Sequence, residues 1–154
     1  MKNIKILLVA LLMTGTLYAA EKKVVIDLTS GDVDVVEKAL VKNLVSIAEH
    51  YKANGDTLKA VVVISGKSYR FFVHDLKNSP YQGKMKVSRA QKRLAPKLEM
   101  LSQRYGVDFR MCQAGMKVRK IAPQTLYRYV KHDRNKSIYL IDYQNEGYAY
   151  LSVH

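Results

Sequence analysis

Along this chain, short unbroken apolar runs alternate with longer stretches in which apolar residues recur every three or four positions. Lys23 to Leu28, KVVIDL, is a nearly continuous β-branched run that closes on Thr29-Ser30-Gly31. It predicts a strand buried on both faces. The next stretch places Val36, Leu40, Leu44, Ile47 and Tyr51 on one helical stripe, widened by Val41, Val45 and Ala48. Asp34 and Glu37 have the spacing of a capping box at its start, and Asn54-Gly55-Asp56 stops it. LKAVVVISG, Leu58 to Gly66, is a second buried strand. A strand-helix-strand unit of this length predicts parallel pairing, with the helix covering one face of the sheet.

In the second half, Tyr69 to Val73 reads as a short strand or an extended loop, and residues 75 to 87, with Pro80 and Gly83, as an exposed loop. Ser88 and Gln91 resemble another capping box before Ala90, Leu94, Leu98, Leu101 and Tyr105. Pro96 conflicts with a continuous helix there, so the helix either kinks or begins with Pro96 in its first turn. After Gly106, Val107, Phe109 and Met111 form one face of a third strand, with Asp108 and Arg110 on the other. A short helix from Gln113 to about Arg119 follows, and Leu126 to Val130 predicts a further strand. Residues 134 to 146 combine strand-like composition with helical spacing. We assign them as a helix, capped by Asp133 or Asn135 and ended by Gly147. YAYLSV then makes the last strand. The pattern shows no repeat and no domain boundary, and predicts one α/β domain over residues 21–154.

The first twenty residues stand apart from this pattern. Lys2 and Lys5 precede an apolar core from Ile6 to Met13 and a small-residue end at Ala19-Ala20. They read as a signal peptide over residues 1–20, which predicts a periplasmic protein with no stable membrane insertion after cleavage. The chain has 26 Lys and Arg against 13 Asp and Glu, a formal charge of +13. That balance favours anionic surfaces or ligands. Nucleic acid is not expected as a partner, because the chain is read as exported and its basic residues are dispersed, with no Trp.

Cys112 is the only cysteine, so an internal disulfide framework is excluded. Its position at a strand-to-helix junction, near Lys117, Arg119 and Lys120, favours a thiolate. Burial as a small hydrophobe, an intermolecular disulfide and soft-metal ligation with Met111 and Met116 remain alternatives. Three loops at strand ends are candidates for anion or substrate binding, through Ser30 and Gly31, Gly66, and Gln113 with Lys117 and Arg119. His74 is a candidate proton shuttle or a solvated loop residue. Asp27, inside an apolar run, is read as reaching a helix N-terminus or contributing to a site. Ser65-Gly66-Lys67 lacks the glycine spacing of a phosphate loop. Paired carboxylates, HExxH, CxxC, CxxCH and GxSxG are also missing from the sequence. No cofactor and no metal is expected.

GVDFRMCQAGMKVRKI, Gly106 to Ile121, together with YQNEGYAYLSV, Tyr143 to Val153, resembles the DsrE/DsrF-like family, in particular its small exported members. VVVISG, Val61 to Gly66, matches the strand and turn before that family's middle loop. The resemblance implies a three-layer flavodoxin-like or Rossmann-like domain with a mostly parallel sheet, assembled as a homotrimer or homohexamer. It also implies sulfur relay, in which a cysteine after a central strand carries a persulfide between donor and acceptor molecules or proteins. Cys112 occupies that position. The rival expectation is a non-catalytic protein of the same fold that binds an anionic ligand or serves in assembly.

Overall fold

The computed structural model describes residues 19–154. The predicted signal peptide lies almost wholly outside the described residues. Five strands form one all-parallel sheet: β1 (Glu21–Leu28), β2 (Thr57–Ile64), β3 (Asp108–Met111), β4 (Val130–Lys131) and β5 (Ala149–Val153), in the order β4-β3-β2-β1-β5. The register aligns Leu28 with Ile64 and Val153, and Ile64 with Met111. The carboxyl ends of the four longer strands therefore share one edge.

The period of two sorts side chains between two layers. Val24, Ile26, Leu28, Val62, Ile64 and Phe109 belong to the larger core, beneath Leu40 and Leu44 of one helix and Leu94, Leu98 and Leu101 of another. Val25, Val61 and Val63 belong to the opposite, smaller core with Tyr139 and Tyr148. Fully burying one such aliphatic or aromatic side chain contributes about 1.5–3 kcal/mol. The two apolar faces explain why β1 and β2 read as unbroken runs.

The first helical stretch, α1, comprises Val33–Val35, a π-helical segment Val36–Lys42, and Asn43–Ala53. Its cap is Asp32, which accepts from the amides of Asp34 at 2.8 Å and Val35 at 3.1 Å. The expected capping box at Asp34 and Glu37 is thus displaced by two residues, because those carboxylates face the next helix. Arg93 reaches Asp34 at 2.7 Å, and Lys97 reaches Glu37 at 2.5 Å.

That next helix, α2 (Met85–Tyr105), starts before Ser88 and runs through Pro96. The expected capping box fails because Gln91 is buried and its side-chain amide donates to the carbonyls of Arg70, at 3.0 Å, and Val73. Pro96 is tolerated on the exposed side of the helix, as is Lys92, the residue four positions earlier whose carbonyl Pro96 cannot bond. Gly106, at φ 64, ends the helix in the left-handed region.

Residues Ser68–Phe71 form a buried 3-10 turn, and Val73 makes one antiparallel bridge to Leu126, so neither segment is a regular strand there. The strand expected over Leu126 to Val130 contracts to Val130–Lys131. Two further helices complete the domain, α3 (Gln113–Val118) and α4 (Lys136–Asn145). The helical reading of residues 134 to 146 holds, because Tyr139 is the residue it buries against the sheet. Among the described residues no helix is long and apolar enough to cross a membrane.

Candidate functional site

Cys112 follows β3 directly and occupies the N-cap of α3, in an extended conformation at φ −63, ψ 113. Its amide donates to the carbonyl of Ile64 at 3.0 Å and its carbonyl accepts from Met116 at 3.1 Å, so both sides of the turn are fixed. The residue is 8% exposed and its thiol is free. Burial pushes the thiol up. The amides of Gly115, Lys136 and Ala114 and the Tyr69 hydroxyl act on the sulfur in the opposite sense, and together they leave it below the ordinary cysteine value. An inert cysteine in apolar surroundings would be displaced the other way.

Two helix starts converge here. The first amide of α3, Gln113, donates to the carbonyl of Arg134 at 3.0 Å, and Ala114 donates to Oδ1 of Asn135 at 3.1 Å. Asn135 precedes α4 but spends its side chain on α3 instead of capping its own helix. The amide of Lys136, first in α4, is thereby brought to the sulfur of Cys112.

The Lys136 side chain runs the other way, to Asp27 Oδ2 at 2.6 Å. Asp27 is 4% exposed, and Tyr150 donates to the same oxygen at 3.4 Å. The expected meeting of Asp27 with a helix start is found, although the partner is the lysine ammonium and not a backbone amide.

Tyr69 closes the other side. It is buried, and its hydroxyl donates to the Cys112 carbonyl at 3.0 Å. Burial, then its contact with Cys112, pushes the phenol well above its ordinary value, so it remains a donor. A hydroxyl has one proton, already given to that carbonyl, and the Ala114 amide is likewise given to Asn135, so the amides of Gly115 and Lys136 are the main support of the thiolate. Arg119 lies over the Tyr69 ring, 4.7 Å from its centroid, and donates to the Gly115 carbonyl at 3.4 Å.

Of the remaining residues singled out in the sequence, Ser30, Gly31 and Gly66 lie in the loops that follow β1 and β2, on the same edge. Ser30 is buried. Its hydroxyl accepts from Asp32 at 3.2 Å and its amide donates to Val153 at 3.2 Å, so its local polar groups already have partners. Gly31 and Gly66 let two loops touch. A Cβ on Gly31 would fall 2.6 Å from Cβ of Lys67, and one on Gly66, at φ +62, 2.9 Å from the Thr29 carbonyl. Lys117 is exposed. His74 is also exposed, bonded to Gln124 at 3.2 Å and packed beside Tyr127. It lines a cleft with Glu99, Gln103 and Tyr129 that does not include Cys112.

Met111 and Met116 are both core residues, and among the described residues no group of three His, Cys, Asp or Glu could hold a metal ion. The sequence pattern assigned Tyr69, Asn135 and Lys136 no part in the site. The carboxylate in an apolar strand, Asp27, was a signal for a polar partner at a helix start, without saying which helix.

Fold and site together define a parallel-sheet α/β protein with an amide-stabilised thiol at a strand-to-helix junction. Residues 22–153 match the model of the DsrE/DsrF-like family, and the chain belongs to that family. An uncharacterized protein of Aquifex aeolicus (strain VF5) is 29% identical over 138 residues, covering 88% of this chain. The chain spans 57% of the length of that relative. A solved structure of a protein of unknown function from Methanobacterium thermoautotrophicum has the same fold, with a TM-score of 0.59 at 16% identity, covering 86% of this chain and 98% of that one.

Proposed function

We propose that the protein carries sulfane sulfur as a persulfide on Cys112. The observation that carries this reading is the placement of the thiol at the N-cap of α3, at its junction with β3, with the amides of Gly115 and Lys136 directed to its sulfur. In the first step the Cys112 thiolate attacks the outer sulfur of a donor R–S–SH. The donor S–S bond breaks, RS⁻ departs, and the new S–S bond holds the sulfur on Cys112. In the second step an acceptor thiolate attacks that outer sulfur and the Cys112 thiolate leaves. No net oxidation occurs over the two steps.

The amides of Gly115 and Lys136 stabilise the anionic sulfur before and after transfer, and Arg119 adds positive field. Export to the periplasm and assembly of several copies belong to the same proposal. The N-terminal apolar run supports the first, and family membership supports the second.

Intact-protein mass spectrometry after treatment with polysulfide tests the reading. The expected result is an adduct of one sulfur atom, localised to Cys112, absent in Cys112→Ser and removed by a small thiol. A native thiol that neither gains sulfur nor reacts with an alkylating agent would refute it.

A further inference from the structure

Beside the Cys112 turn lies a second feature, which shares only Arg119 with the proposed sulfur carriage. A cleft of about 240 Å³ is lined by Lys67, Arg70, Lys84 and Arg119, with Tyr81 in its wall and no acidic residue among its lining groups. Among the described residues none of the four cations forms an ion pair. Elsewhere the guanidinium groups of Arg93, Arg110 and Arg134 each meet carboxylates. Converging like charges without counter-charge oppose one another, and a bound anion relieves that repulsion.

The two guanidinium groups are held in place by bonds that leave donors free. Arg70 donates from Nε to the Lys67 carbonyl at 3.0 Å, and Arg119 is fixed by the Gly115 carbonyl and the Tyr69 ring. Lys84 lies over the Tyr81 ring at 5.6 Å. Arg70, Arg119 and Tyr81 line the same cleft, and burial pushes the Tyr81 phenol up while both cations pull it down. Gly66 lets the Lys67 loop lie against Thr29, with the Lys67 amide donating to the Thr29 carbonyl at 2.9 Å. Lys67 therefore enters the cleft from a fixed turn.

The geometry points to a binding site for a small doubly charged oxyanion of the sulfate or phosphate type, held by Arg70, Arg119, Lys67 and Lys84. Planar guanidinium forks match the oxygen edges of such an ion, and the two ammonium groups supply charge without directional demand. The site shares Arg119 with the persulfide chemistry proposed at Cys112, whereas Lys67, Arg70 and Lys84 take no part in that chemistry.

Calorimetric titration of the protein with sulfate and with inorganic phosphate, against chloride at constant ionic strength, tests this. Saturable binding of one divalent anion per chain is expected, without a matching chloride response, and retained in Cys112→Ser. The Arg70→Gln, Lys84→Gln variant should bind at least about tenfold more weakly, as expected for loss of charge-assisted hydrogen bonds. Lys86→Gln, Lys92→Gln removes the same net charge from the exposed side of α2 and should bind as the parent does. Lys84→Gln alone, at an exposed position, should weaken binding several-fold without disturbing the fold. Non-saturating binding, binding unchanged in the cleft variants, or equal weakening by Lys86→Gln, Lys92→Gln would overturn the proposal. Binding only to an acidic peptide, with none to either ion, would do so as well.

Discussion

Gly115 packs so closely beneath Tyr69 that a Cβ at position 115 would overlap the phenolic oxygen and come within 2.6 Å of Cζ. The helix carrying Gly115 and the 3-10 turn carrying Tyr69 can approach only because that side chain is a hydrogen atom. The contact sets the height of the Gly115 amide relative to the Cys112 sulfur. Gly115→Ala should therefore destabilise the fold by about 1–3 kcal/mol, the range for overpacking a buried contact. Denaturant unfolding measures the cost. Tyr69→Phe in the same chain should recover part of it by removing the overlapped oxygen. Equal stability of Gly115→Ala and the parent would show that the turn shifts freely.

Thiol titration gives a second expectation. The folded thiol lies below the unfolded value, which is near about 8.5 for a free cysteine. Its contribution to stability is then fully present above the unfolded value and is lost as pH falls through the folded one. The difference in unfolding free energy between the parent and Cys112→Ser should accordingly grow as pH rises toward that unfolded value. The rate of alkylation in the native state should show its midpoint below the ordinary cysteine range. A flat difference, or a midpoint above that range, would mean burial outweighs the amides.

Part of this site was legible in the chain and part was not, for reasons that differ by residue. Val61 to Ile64 and Val24 to Leu28 are covered on both faces, so their unbroken apolar runs revealed the strands, and the helix between them their parallel pairing. Cys112 was legible because the period of two in Val107, Phe109 and Met111 ends one residue before it. Asn135 and Lys136 reach Cys112 across more than twenty residues of chain, and no local spacing encodes that approach. Tyr69 looked like part of a strand because its aromatic neighbours fill the core. Its turn is set by Ser68, whose hydroxyl serves the carbonyls of Leu28 at 3.0 Å and Ser65 at 2.7 Å.

The start of α1 offers a test of local capping. Asp32, not Asp34, accepts the free amides of the first turn. Asp32→Ala should cost about 1 kcal/mol, the usual worth of an N-cap carboxylate. Asp34→Ala removes a partly exposed ion pair to Arg93 and should cost less, about 0–1 kcal/mol. Thermal or urea unfolding of both variants gives the ranking. The reverse order would restore Asp34 to the cap.

The ion pair behind the site should respond unequally to loss of either partner. Asp27 has a side chain only 5% exposed, whereas that of Lys136 is 33% exposed. Its second oxygen, Oδ1, has no hydrogen-bond partner. Lys136→Ala keeps the backbone amide at Cys112 but leaves a buried carboxylate facing only the Tyr150 hydroxyl. Asp27→Asn instead leaves a lysine that can turn toward water. Removing one member of a buried pair costs about 3–5 kcal/mol, and the lysine's partial exposure lowers the figure for Asp27→Asn to about 1–2 kcal/mol. Unfolding of the two single variants and of Lys136→Ala, Asp27→Asn together measures the coupling, with the double variant expected to be more stable than Lys136→Ala alone. A positional role for Lys136 would also raise the midpoint of Cys112 alkylation in Asp27→Asn, where the first turn of α4 loses its tether. An unchanged midpoint with lowered stability would confine the pair to holding the fold.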